Sequence, residues 1–578
     1  PIILKADKKI QVFSVLRKEK LCLMSEFYYL NELSLENLMG FTEKISGWQR
    51  FSGTEEELEA FRYMEKTLRS FGYRTELVLH DAYISLPVSS RLILGGKEVP
   101  SQTHSMVPST GSGGVEGEVV YISQEMLAGM KEQSCAGKIV AFDGRAVFGK
   151  VKSARFLGAV GMLCIQEEPV RECIPSGAWG SPDRTSRDLY PQIPIVSVPE
   201  KEGTMLRKNR EKPLRAVIET SVDTGWRKIP CLTAQLDAPV ETEEFVMFSG
   251  HLDSWYYGAI DNGTVNAAQL EIARIAAKNR EYLRHNFRIV NFSGHSHGRY
   301  AGSAWYADEH WMELHEHCII NINADSIGGK NASDITKSMV MPETAGLAKE
   351  IIYKLTGVEF IGMRCKRAAD QSFWNCGVSS AFASFSRQPK VRQEDGSFSS
   401  GKGNAELGWW WHTPEDTMAN VDPENFKRDA SVFCTYIMEF LTREAIPLDF
   451  AKTAEEISVT LKSWAKRAEG RFDLSHEIKM SEELLHKLKT VPSDDKSENT
   501  LKMALGRILV PLLYTTGDIY KNDEAGEYPL LPSLMLLEEL AQTEQGSEEA
   551  MKLGIEITRK RNFIADSLNR ALKLFAGR

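Results

Sequence analysis

Five short segments of this chain carry side chains able to hold a metal ion. They are Gly250-His251-Leu252-Asp253, Ala259-Ile260-Asp261-Asn262-Gly263, FSGHSHGRYAGS at 292–303, Ala324-Asp325, and a tryptophan-rich stretch, GWWWHTPEDT, that delivers His412. The third puts His295 and His297 two apart, with Ser296 between them. Imidazole nitrogen with carboxylate oxygen is the ligand mix of zinc and its first-row neighbours. A divalent cation also removes the repulsion that clustered aspartates otherwise suffer. Taken singly, each residue has another reading. His251 suits a hydrogen-bonded core histidine, Asp261 a helix N-cap and Asp325 a turn.

The elements around them favour the joint reading. Between 245 and 386, FVMFSG, FRIVNF, IININA and SSAFASF are short, β-rich and mostly apolar, as strands covered on both faces should be. VNAAQLEIARIAAKN is apolar around most of its circumference and predicts a buried helix. ENFKRDASVFCTYIMEFL predicts a second helix, with Asp422 as N-cap and Pro423 at the first position. This alternation predicts an α/β fold, a mixed, mostly parallel sheet flanked by helices. Ligands of such sheets bind at the carboxyl ends of strands, where His251, the 292–303 segment and Asp325 all fall.

Upstream, Thr54 to Phe71 predicts a helix with Thr54 as N-cap, followed by a strand over 73–79. From about 84 to 228, Gly, Pro and Ser rise. Short strands (GEVVYI, GKIVAF, GMLCI, IPIVSV) and a helix over 150–157 there predict a small inserted β-rich module. After about 445 the pattern is helical and charged, split by the polar TVPSDDKSENT. The expected division is 24–83 and 229–444 for the sheet-bearing domain, 84–228 for the insertion and 445–578 for a helical C-terminal domain.

A chain of 578 residues exceeds one simple core, and a net charge of −9 argues against a nucleic-acid partner. No apolar run reaches the length of a membrane span. Nine scattered cysteines, an odd number, point to a reducing compartment and a cytoplasmic setting. The basic opening is too interrupted for a signal peptide, and Met24 reads as a natural start, so residues 1–23 are kept out of the fold argument.

GHLDS, GAIDNGTVNAA, NADSIGG and WHTPEDT, in this order between about 240 and 440, resemble the di-zinc aminopeptidase family. That family includes bacterial leucyl aminopeptidases, glutamate carboxypeptidase II and the transferrin receptor. GKIVAFDGRAVFGKVKSARFLGAVGMLCI with IPIVSVPEKEGTML resembles a protease-associated domain. The helical C-terminus resembles the region through which the last two proteins dimerise, which implies a homodimer. The resemblance implies one or two divalent ions, zinc first and another first-row metal second. His251 and Asp325 would hold one site, Asp261 would bridge and His412 would bind the other, with Asp253 orienting His251. Asp370 matches a family aspartate, although Gln371 stands where many members have histidine.

The departure falls in FSGHSHGRYAGS. Family members carry two adjacent glutamates there, a general base and a metal ligand. An ungapped count back from Gly302-Ser303 puts Ser296 at the base position and His297 at the ligand position. A serine hydroxyl without a base of its own cannot take the proton of a hydrolytic water at neutral pH. His295 is the substitute base or additional ligand, since on an extended segment it shares a face with His297. Trp255, Tyr257, Trp411, Arg299 and Asp370 are candidate pocket residues, and Arg299 and Arg367 could bind a carboxylate. The leading expectation is a metal-dependent hydrolase of an amide bond in a small peptide or modified amino acid. The second is a non-peptidase metalloenzyme, another amide hydrolase or a lyase, on the same scaffold. The third is a non-catalytic binding protein, placed last because it predicts broad loss of ligands.

Overall fold

The computed structural model describes residues 27–576, apart from 210, 211, 213, 394, 395 and 493. The reading of Met24 as a start lies outside the described residues. Four parallel strands form the heart of the molecule, in the order Ser379–Ala381, Cys318–Asn323, Phe245–His251 and Asn286–Phe292. All four are wholly buried, and the helix Thr264–Lys278 covers one face with twelve buried residues. The predicted strand over 379–385 ends early because Phe382 takes a left-handed φ of 67°.

Beyond Asn286–Phe292 the sheet turns antiparallel at Arg215–Leu236, a 22-residue strand paired along most of its length with Arg74–Leu94. The strand predicted over 73–79 therefore runs on to Leu94, well beyond its predicted end. The ladder to its partner extends it, together with buried side chains that begin only past residue 79, Ala82 and Ile84 in one small cluster and Leu92 and Leu94 in another. The far end of this ribbon pairs with Val115–Tyr121, which opens a second parallel sheet with Ile139–Asp143, Gly161–Gln166 and Ile195–Pro199. These inserted strands pack their own two apolar clusters.

The helix Glu55–Ser70 begins where its cap predicts, with Thr54 Oγ1 accepting from the Glu57 amide at 3.3 Å. Asp422 likewise caps Pro423–Thr442. The C-terminal helices Phe450–Arg467, Ser475–Leu488, Asn499–Tyr514 and Glu548–Lys573 share one continuous core with the central sheet. Buried Glu343 ties the two, accepting from Ser379 Oγ at 2.8 Å and Thr453 Oγ1 at 2.6 Å. Among the described residues no helix is long and apolar enough to cross a membrane, and all eight cysteines are buried and unbonded.

Candidate metal centre

The carboxyl edge of the central sheet gathers the predicted side chains. His251 ends the strand Phe245–His251, His295 follows Asn286–Phe292 by three residues, and Asp325 follows Cys318–Asn323 by two. Donor atoms of His251, His295 and Asp325 lie within 4.8 Å of one another. Asp261 stands between two imidazoles, with Oδ1 at 3.1 Å from His251 Nε2 and Oδ2 at 3.2 Å from His412 Nε2.

Each of these three histidines has its other ring nitrogen fixed by an acceptor. His251 Nδ1 donates to the Asp253 carbonyl at 2.8 Å, His295 Nδ1 to Asp370 Oδ2 at 3.0 Å, and His412 Nδ1 to the Glu172 carbonyl at 2.9 Å. With Nδ1 protonated, all three turn an Nε2 lone pair toward Asp261 or Asp325. His251 Nε2 and Asp261 Oδ1 are buried with no hydrogen-bond partner, although they approach each other closely. Lone pairs converging in this way fit a divalent cation bound by nitrogen and oxygen.

The electrostatics agree. Burial and the Asp261 charge push Asp325 up from its ordinary value. Burial pushes His251 down, but the Asp253 and Asp261 carboxylates beside it outweigh that and drive it well above its ordinary value. A proton on His251 would thus meet the demand for positive charge that a cation meets better.

Three further groups hold this geometry, none of them singled out from sequence. Asp416, in the WHTPEDT segment, accepts from the Ile260 and Asp261 amides at 3.0 and 2.9 Å. Burial and the nearby Asp261 push its carboxyl up to about 7. Arg50 is fully buried and donates to the carbonyls of Leu252, Tyr257, Gly258, Ile45 and Trp48 at 2.7–3.1 Å. Ser52 Oγ donates to Asp253 Oδ2 at 2.8 Å, and the Ser296 and His295 amides donate to the same carboxylate at 2.8 and 3.3 Å.

The structure brings His295, and not His297, to His251 and Asp325. Residues 295–298 form a helical turn, and Arg299 and Tyr300 follow with left-handed φ values of 52° and 71°. Side chains two apart on a helix diverge by roughly 200°, so the shared face expected of an extended segment is absent. His295 stacks on the His251 ring at 3.8 Å. His297 is buried against Trp255 and Phe51, with Nδ1 at 3.0 Å from Ser52 Oγ, and burial pushes it down to about 3. Ser296 is buried and its hydroxyl has no partner.

A cavity of about 900 Å³ opens over this edge. Asp261, His295, Asp325 and His412 reach its wall, and so do the predicted Arg299 and Trp411. Trp255, Tyr257 and Asp370 do not: Trp255 packs on His297 and His412, Tyr257 gives its carbonyl to Arg50, and Asp370 holds His295. Arg367 is buried in an ion pair with Asp523 at 3.2 Å and also lies off the wall. The inserted strands and their loops supply Arg145, Arg171 and Glu172 instead. No periodicity or motif in the sequence marks these three.

Residues 232–437 match Peptidase family M28, which is the family of di-zinc aminopeptidases that the four motifs resemble. Carboxypeptidase Q of Xenopus laevis is 25% identical over 316 residues, covering 50% of this chain and 63% of that protein. Aminopeptidase YwaD of Bacillus subtilis (strain 168) is 22% identical over 274 residues, covering 45% of this chain and 54% of that protein. The chain thus spans less than two thirds of the curated relatives it matches. Among solved structures, the aminopeptidase from Aneurinibacillus sp. strain AM-1 superposes with a TM-score of 0.54 at 20% identity, covering 71% of this chain and 94% of that one. BSAP, a zinc aminopeptidase from Bacillus subtilis, does so with 0.54 at 17% identity, covering 73% and 97%. These superpositions establish the fold.

Proposed function

We propose that this chain is a metal-dependent hydrolase of an amide bond in a small peptide or modified amino acid. The observation that carries the reading is the common tautomer of His251, His295 and His412, which turns three Nε2 lone pairs onto Asp261 and Asp325. His251, His295 and Asp325 would hold one ion, and Asp261 with His412 would complete that site or hold a second. Zinc fits this nitrogen and oxygen set best. A bound ion would polarise the scissile carbonyl and lower the pKa of water.

The chain's own residues do the rest. Asp370, Asp253 and the Glu172 carbonyl fix the imidazoles. Arg50 and Asp416 hold the loops bearing Asp253 and Asp261, and Trp411 walls the cavity beside His412 at a ring spacing of 3.4 Å. A second reading, a non-peptidase metalloenzyme on the same site, draws on one observation. No glutamate stands at 295–297, and the Ser296 hydroxyl lies off the cavity wall. The insertion would act as a protease-associated domain, a role supported by the module resembled in its sequence. Homodimerisation would use the C-terminal helices, where Val459, Met551 and Ile555 are exposed. A cytoplasmic setting is proposed from the cysteine usage.

Metal analysis of the purified protein, followed by a panel of aminoacyl-arylamides and dipeptides, tests the reading. Stoichiometric divalent metal and chelator-sensitive turnover are expected. Absence of bound metal would sink both enzyme readings. Bound metal with no turnover of any peptide or arylamide would favour the second.

A further inference from the structure

Residues 171–180 of the insertion have no regular secondary structure, yet nine of the ten are buried. Irregular chain ordinarily runs over the surface, because its backbone polar groups need partners. Here the rest of the molecule supplies them. The Gly177 carbonyl accepts from the Ala525 amide at 2.9 Å, and the Gly180 amide donates to the Arg299 carbonyl at 2.7 Å. The approach is close: a Cβ at Gly180 would fall 2.6 Å from that of Ala304. Trp179, only 8% exposed, forms one small cluster with Tyr300, Ala304 and Ala525.

Two paths lead from Trp179 to His295. The first runs through the ring of Tyr300, which lies 4.4 Å from the Trp179 ring and meets the His295 ring edge-on at 4.8 Å. The second is a chain of hydrogen bonds. Trp179 Nε1 donates to Ser372 Oγ at 2.8 Å, Ser372 Oγ lies 2.8 Å from Ser303 Oγ, and Ser303 Oγ donates to the Tyr300 carbonyl at 3.3 Å. A hydroxyl has one proton, so with that of Ser303 on Tyr300, Ser372 gives its own to Ser303. Ser372 also stands two residues beyond Asp370, whose Oδ2 accepts from His295 Nδ1 at 3.0 Å.

Arg299 and Tyr300 are the consecutive left-handed residues that follow the His295 turn. Side chains other than glycine stay in that conformation only where their surroundings over-determine it. The carbonyl of Arg299 is held by Gly180, and the carbonyl of Tyr300 lies at the end of the chain that begins at Trp179.

We propose that Trp179 is a positioning residue of the metal centre. It holds the left-handed pair and the loop of Asp370 against His295, so the inserted module helps decide that His295, and not His297, meets His251 and Asp325. Trp179 lies outside residues 232–437, the part of the chain that carries the family match. The inference rests on the metal-centre reading and adds to it a residue that no motif marks.

Imidazole nitrogen spectra of the whole metal-free protein, isotopically labelled at histidine, test this without requiring turnover or metal. The His295 signals are those lost in His295→Ala. They are expected to show one tautomer, protonated at Nδ1, in the unaltered protein and a mixture of both tautomers in Trp179→Leu. Competition against a chromophoric chelator then reads cobalt(II) affinity. Trp179→Leu should lower it roughly ten- to a hundredfold, the usual effect of losing a group that orients a metal-bound histidine. Trp179→Phe keeps a ring against Tyr300 and loses the indole donor, so it should recover part of that affinity. A Trp179→Leu protein that is less stable in urea, yet keeps the single tautomer and the full cobalt affinity, has lost packing alone and overturns the proposal. An unaltered protein that binds no cobalt sinks the metal-centre reading, while the tautomer comparison still decides whether Trp179 positions His295. Should Trp179→Leu fail to fold, Gly180→Ala carries the test, because its methyl group lifts the segment off Ala304 and leaves Trp179 whole. Mixed tautomers with weaker cobalt binding in that variant support the proposal, and unchanged behaviour refutes it.

Discussion

Alanine at His295 and at His297, made separately, should separate two properties that the sequence assigns to one segment. His295 Nε2 converges with His251 and Asp325, whereas His297 lies against Trp255, Phe51 and Ser52. A structural zinc ion contributes roughly 10–16 kcal/mol over about four ligands, or about 3 kcal/mol each. His295→Ala should therefore weaken metal binding by roughly a hundredfold, at about 1.4 kcal/mol per factor of ten. His297→Ala removes a hydrogen bond worth about 1 kcal/mol and leaves a cavity under two aromatic rings, for a total of about 2–4 kcal/mol of stability. Its metal affinity should hold. Competition against a chromophoric chelator reads the first quantity, and urea unfolding of the metal-free proteins reads the second. If His297→Ala loses the metal while His295→Ala keeps it, the backbone register described for 295–300 is wrong. The ungapped count back from Gly302 would then be restored.

Arg50→Met removes five hydrogen bonds to carbonyls, three of them buried and two part-buried, and at about 1 kcal/mol for each buried one the protein should lose at least about 3 kcal/mol of unfolding free energy in urea. Arg50→Lys should recover only part of this, because an ammonium has three donors. Asp370→Asn should lower metal affinity about ten- to a hundredfold by releasing the His295 tautomer, read by the same chelator competition. His104 is fully buried beside Ser197, and burial pushes it down to about 3 from an ordinary 6.5. It stays neutral in the fold while the unfolded chain takes up a proton below pH 6.5. The stability it contributes is thus complete above 6.5 and declines toward pH 3, by up to about 1.4 kcal/mol per unit. Unfolding at pH 7 and pH 5 should show this slope, and His104→Asn should flatten it.

His251, Asp261, Asp325 and His412 were legible because strand ends and short motifs both mark them, and the parallel order of their strands brings the marks to one edge. The choice between His295 and His297 was not legible. It depends on a single helical turn and two consecutive left-handed residues, Arg299 and Tyr300, whose side chains do not announce that conformation. Arg50 and Asp416 escaped for another reason. Their partners are backbone groups 202 and 155 positions away, such as the Leu252 carbonyl and the Asp261 amide, and a side chain's taste for backbone leaves no pattern in composition. The aromatic residues divide similarly. Trp411 flanks its histidine and lines the cavity, whereas Trp255, equally close to a motif, packs beneath the site.

The ribbon formed by Arg74–Leu94 and Arg215–Leu236 brings Ile84 directly opposite Gly225. A tight turn there would close the chain and excise the whole insertion with no gap to span. By geometry alone the module looks detachable, a late addition that evolution or an engineer could remove. The hydrogen bond from His412 to the Glu172 carbonyl says otherwise. Excision would leave that imidazole free to rotate and to exchange tautomers, and would strip the cavity of Arg145 and Arg171. The inserted strands therefore pack apolar clusters of their own and still fix the ring of His412, so their removal would alter the metal centre as well as the sheet.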